Sequence, residues 1–64
     1  MGIKGSKVKR LRRKAKMTQV WLAKKAKVSQ ATVSKIESGT KTADIKTLTG
    51  LARALRCEES ELLY

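Results

Sequence analysis

The chain has no histidine, no proline and no phenylalanine, and only one cysteine, one tryptophan and one tyrosine. Each scarcity narrows what it can do. Without histidine there is no imidazole for proton transfer or for a zinc site. A lone cysteine, Cys57, forbids an intrachain disulfide and makes a metal centre unsupported. It reads as a small core hydrophobe in a reducing compartment. No glycine loop of the phosphate-cradling kind is present, and no carboxylate pair sits where a cleft is expected. The chain therefore reads as a non-enzyme with no cofactor, no metal and no small-molecule substrate. No apolar run approaches the length of a membrane span, and none resembles a signal-peptide core. The expected place is the cytoplasm, away from any membrane.

Acids are the other shortage. Five face sixteen Lys and Arg, for a formal net charge of +11. Such an imbalance predicts attraction to a polyanion, most simply nucleic acid. A surface built only for solubility mixes both signs. Sixty-four residues make one domain with a modest core and no room for a large ligand cavity. Ala, Leu, Lys and Arg dominate, which favours helix. No segment alternates like a strand.

The organising stretch runs from Thr18 to Gly39 and predicts two short helices joined by a tight turn. Thr18 and Ser29 are N-caps. Met17 with Leu22, and Val28 with Val33, have the spacing of hydrophobic staples. In the second helix Val33 and Ile36 share the inward face. The opposite direction holds Ala31, Ser34, Lys35 and Ser38, with Gln30 at its edge. That face is small, polar and singly basic, which suits close approach to base edges in a DNA major groove. Gly39 ends the helix.

On either side the pattern is simpler. Residues 1–5 read as a flexible arm, and residues 6–64 as the domain. Ser6 caps a first helix to about Lys16, with Val8, Leu11 and Ala15 inward and otherwise basic. Asp44 caps a fourth helix, Ile45 to about Leu55, with Ile45, Leu48, Leu51, Ala52 and Leu55 as its buried stripe. Gly50 inside it costs roughly 1 kcal/mol against alanine. Glu58, Glu59 and Glu61 open a last short helix, favourably placed for its dipole.

The segment MTQVWLAKKAKVSQATVSKIESG resembles the helix-turn-helix of the Cro/repressor family of phage and bacterial regulators. The marks are Thr18-Gln19, Leu22-Ala23, Val28-Ser29, and the ending on Val33, Ile36, Glu37 and Gly39. Leu11-Arg12 resembles the family's preceding helix, and Ile45, Leu48, Leu51, Ala52, Ala54 and Leu55 its fourth. The likeness runs over about residues 6 to 63, and ALRCEESELLY is most like the phage Cro branch. Departures are Lys27 and Arg56 where glycine is usual, Trp21 where a capping Glu is usual, and Ala43 where proline is common.

The resemblance implies an all-α, compact five-helix, lambda-repressor-like DNA-binding domain that acts as a transcriptional regulator, most simply a repressor. It implies base readout by Gln30, Ala31, Ser34 and Lys35. Backbone contacts are expected from Arg12, Thr18, Gln19, Ser29, Thr32, Ser38, Thr40, Lys41 and Thr42, with Gln19 bracing Gln30. An Arg12–Glu37 salt bridge and a homodimer on double-stranded DNA are also implied, with Leu62, Leu63 and Tyr64 as the dimer contact. Leu62 as plain core with a frayed end is the competing reading. Two other functions fit the same chain. One is an antitoxin-like module of this fold whose partner is a protein. The other is a nonspecific polyanion binder, against which the capped and stapled helices argue.

Overall fold

The computed structural model describes residues 2–64. Four α-helices follow in order: α1 (Gly5–Lys14), α2 (Gln19–Ala26), α3 (Gln30–Glu37) and α4 (Ile45–Leu55). The expected fifth helix is a single 3-10 turn, Glu59–Leu62. The class is all-helical, as the pattern requires.

Local chemistry sets the boundaries. Thr18 Oγ1 accepts the Trp21 N–H at 3.1 Å, and Ser29 Oγ accepts the Thr32 N–H at 3.1 Å. Asp44 Oδ1 accepts the Thr47 N–H at 2.8 Å. Three of the four expected N-caps are formed; Ser6 is the exception. The helix ends share one device. After each, a residue takes a left-handed backbone: Lys16, Lys27, Gly39 and Arg56, at φ of 59°, 60°, 81° and 54°. The next amide then reaches back five residues. Met17 bonds Arg12 O at 3.0 Å, Val28 bonds Ala23 O at 3.0 Å, Thr40 bonds Lys35 O at 2.9 Å and Cys57 bonds Ala52 O at 3.0 Å. These are Schellman closures, and only one of the four uses glycine.

Val8, Leu22, Val33, Ile36, Leu51 and Leu62 are the large side chains lost completely from water. They bring α1, α2, α3, α4 and the terminal turn onto one core. Two glycines make the approach possible. A Cβ on Gly5 would collide with the Ile36 carbonyl oxygen, and one on Gly50 would stand 2.7 Å from Ala26 O. Gly50 is thus a packing requirement of the α2–α4 contact rather than a plain weakness in α4. Cys57 is half-buried against the core. Burial first, then Glu61 and Glu58, push its thiol above the ordinary value, which suits a packing role.

Several expectations need correction. Residues 2–5 are not a loose arm. Ile3 is 7% exposed and forms an antiparallel bridge with Leu63, and Lys4 N–H bonds Leu62 O at 2.7 Å. Met1 lies outside the described residues. Because the chain is pinned through Lys4, α1 begins at Gly5 with Lys4 in the cap position, and Ser6 is inside the helix. α1 also ends early, so Ala15 is an exposed cap residue and not core. Ile45 is 81% exposed. By spacing it shares a side with Leu48 and Ala52, but it is the first residue of α4 and the helix end leaves it open to solvent. Leu62 is fully buried, which removes it from any dimer contact. The C-terminal end is held, since Tyr64 N–H bonds Gly2 O at 3.2 Å.

Candidate nucleic-acid interface

α3 turns Val33 and Ile36 into the core and leaves Gln30, Ala31, Ser34 and Lys35 exposed together. The division follows from helical spacing alone. No long side chain crowds this face except Lys35, so the backbone of α3 can come close to a flat or grooved partner.

The position of α3 is fixed from behind. Glu37, at its last turn, accepts from Arg12 Nε at 2.6 Å and from Arg12 Nη2 at 3.1 Å. The pair is bidentate, with side chains only 12% and 3% exposed. Arg12 Nη1 also donates to Met17 O at 2.8 Å. Each guanidinium nitrogen is engaged inward, so Arg12 acts as a tie between α1, α3 and the start of α2. That corrects its place among the phosphate contacts.

The network continues to the surface. Gln19 Nε2 donates to Glu37 Oε1 at 3.2 Å, and Gln30 Nε2 donates to Gln19 Oε1 at 3.4 Å. Arg12, Glu37, Gln19 and Gln30 therefore form one chain of hydrogen bonds from the half-buried interior to the exposed start of α3. The Gln19–Gln30 contact is the brace that the sequence implied. The Glu37–Gln19 link was not foreseen. Its partners are eighteen residues apart, and no spacing rule signals it.

The other expected contacts surround this face unevenly. Thr18 is exposed at the cap of α2, with Gln19 half-buried beside it. Ser29 is exposed, while Thr32 is half-buried and shares a 2.9 Å hydroxyl contact with it. At the far end of α3, Ser38 Oγ and Thr40 Oγ1 donate to Lys35 O at 3.0 and 3.2 Å. Both residues are exposed, as are Lys41 and Thr42. Two backbone amino ends, those of α2 and α3, open near this surface and carry partial positive charge. Among the described residues Arg12–Glu37 is the one ion pair, so most cations face solvent.

Two exposed features were not expected. Trp21 is 50% exposed with the Lys25 ammonium 5.3 Å from its ring centre, and Tyr64 is 85% exposed with Lys4 at 5.5 Å. Both are cation–π arrangements that shield an aromatic face.

The architecture has close counterparts. The P22 c2 repressor, solved in complex with a synthetic operator, is 28% identical with a TM-score of 0.91, over 98% of this chain and 96% of that one. The restriction-modification controller protein C.AhdI from Aeromonas hydrophila is 27% identical with a TM-score of 0.89, over 92% and 89%. The clp gene regulator ClgR from Corynebacterium glutamicum has a TM-score of 0.82 over 91% and 75%; at 24% identity it bears on the fold alone. No curated protein sequence matches. No helix is long and apolar enough to cross a membrane. Residues 8–62 match the helix-turn-helix family HTH_3, and with nearly the whole chain inside that match, the protein belongs to this family of XRE-type, Cro-like DNA-binding domains.

Proposed function

We infer that the protein is a sequence-specific, double-stranded DNA-binding regulator of transcription. The observation that carries this is the outward face of α3 with Gln30 held from behind by Gln19, in a fold shared with an operator-bound repressor. Preorganised side chains lose less freedom on binding, which converts contact into affinity.

In the reading proposed, α3 lies in the major groove. Gln30 offers its amide to the donor–acceptor edge of adenine, Lys35 reaches guanine acceptors, Ala31 meets a thymine methyl and Ser34 completes the face. Thr18, Gln19, Ser29, Thr32, Ser38, Thr40, Lys41 and Thr42 hold phosphates and set register without reading sequence. A lone domain of this size specifies few base pairs, so the functional unit is a homodimer on a palindromic operator. Leu63, half-buried, and Tyr64, exposed, are the terminal residues left for the second copy. The outcome is repression in the cytoplasm, with no cofactor or small-molecule substrate; the family and fold are those of transcription regulators.

The test is selection from a random duplex pool followed by titration. A palindromic motif is expected. Gln30→Ala then costs roughly 1–3 kcal/mol on that motif and relaxes preference at one position, while Lys41→Ala weakens all sequences alike. Equal loss on motif and random DNA for Gln30→Ala would remove it from base readout.

A further inference from the structure

α1 carries charge that the proposed interface does not use. Lys9, Arg10, Arg13, Lys14 and the following Lys16 are all exposed, and the helix contains no acid. Their orientation divides them. Gly5 and Arg12 face α3, the first against the Ile36 carbonyl and the second on Glu37. At roughly 100° per residue, Lys9 and Arg13 follow Gly5 at about 40° and 80° round the helix. They border the flank that faces α3. Arg10 and Lys14, at about 140° and 180°, lie towards Lys7, whose Nζ donates to Leu63 O at 2.8 Å beside the terminal bridge.

Lys16 extends the first group. It is the left-handed residue after α1 and precedes the exposed Thr18 cap of α2 by two positions. Lys9 and Arg13 therefore lie four apart on one side of α1, and Lys16 continues the row in the link to α2. The row runs along the flank of α1 next to α3 and ends at the amino end of α2. Residues four apart on a helix are about 6 Å apart along it. A duplex presents one charge per ~1.7 Å of its axis, so such a row meets phosphates without a fixed register.

We propose that Lys9, Arg13 and Lys16 form a strip that follows the phosphate backbone of DNA flanking the recognised site, on the same duplex. The proposal rests on the DNA-reading function inferred above. Its warrant is continuity with the α2 phosphate site and a row of one sign with no acid to neutralise it. Arg10 and Lys14 lie outside the strip.

The experiment compares a selected duplex trimmed to its motif with the same motif carrying about one helical turn of arbitrary sequence at each end, over a range of salt. For the natural protein the longer duplex binds tighter, and the slope of log K against log salt steepens by about 0.9 for each added phosphate contact. The triple variant Lys9→Gln/Arg13→Gln/Lys16→Gln binds the short duplex as before and loses that increment. Arg10→Gln/Lys14→Gln keeps it. Removing like charges from an exposed face relieves repulsion, so the variants fold. No added slope in the natural protein, or equal loss in both variants, overturns the strip while leaving base reading intact. Equal affinity of the natural protein for short selected and short scrambled duplexes overturns both.

Discussion

Glu37 is the residue on which the recognition helix hangs. It is nearly buried, it receives both forks of Arg12, and it holds Gln19. Removing one member of such a pair leaves the other charge stranded, at a cost of about 3–5 kcal/mol. Each kcal/mol moves the midpoint of a domain this size by roughly 4–8 °C. Glu37→Ala should therefore lower the melting midpoint by more than about 10 °C in a circular-dichroism melt. Adding Arg12→Ala should recover part of the loss, and full additivity would show that the two charges do not depend on each other. The left-handed cap residues act in the opposite sense. Lys16, Lys27 and Arg56 adopt a conformation that costs an L-residue about 1–2 kcal/mol and costs glycine little. Lys27→Gly is expected to raise the midpoint by several degrees, less the entropy that glycine gains in the unfolded chain. An unchanged or lower midpoint would mean that the left-handed strain at Lys27 is already relieved.

Among the elements, α2 and α4 are the tightest pair, because Gly50 lets their backbones meet. Helix propensity alone predicts that Gly50→Ala stabilises α4. The 2.7 Å separation between the added Cβ and Ala26 O predicts the reverse. The variant should melt lower, and a higher midpoint would place the helices farther apart than described. The same contact separates what neighbours in the chain determine from what distant partners determine. Periodicity and caps gave α2, α3 and α4 nearly to the residue, because Thr18, Ser29 and Asp44 act on their own next turns. Gly5 and Gly50 answer to carbonyls of other helices, and Ile3 to Leu63, sixty residues away. Local patterns are blind to such partners, which is why residues 1–5 read as a loose arm. In the site, the outward set of α3 is legible from spacing, and Arg12–Glu37 follows from likeness to the family. The Glu37–Gln19 link and the Arg12 bond to Met17 O are tertiary facts with no sequence signal.

At the scale of the whole molecule, two sources of binding compete. A net charge of +11 draws the chain to any polyanion, with affinity that falls steeply as salt rises. A held Gln30 on a small, polar α3 face is useful only if the chain distinguishes one duplex from another. Charge and readout respond differently to ionic strength, because phosphate contacts common to both complexes cancel in a ratio while base contacts do not. The decisive measurement is the ratio of affinities for a selected duplex and its scrambled counterpart, followed from low to high salt. Both affinities are expected to fall as salt rises while the ratio stays large, on the order of 10³ or more. A ratio near one at every salt concentration would contradict this, and would leave charge alone as the cause of binding.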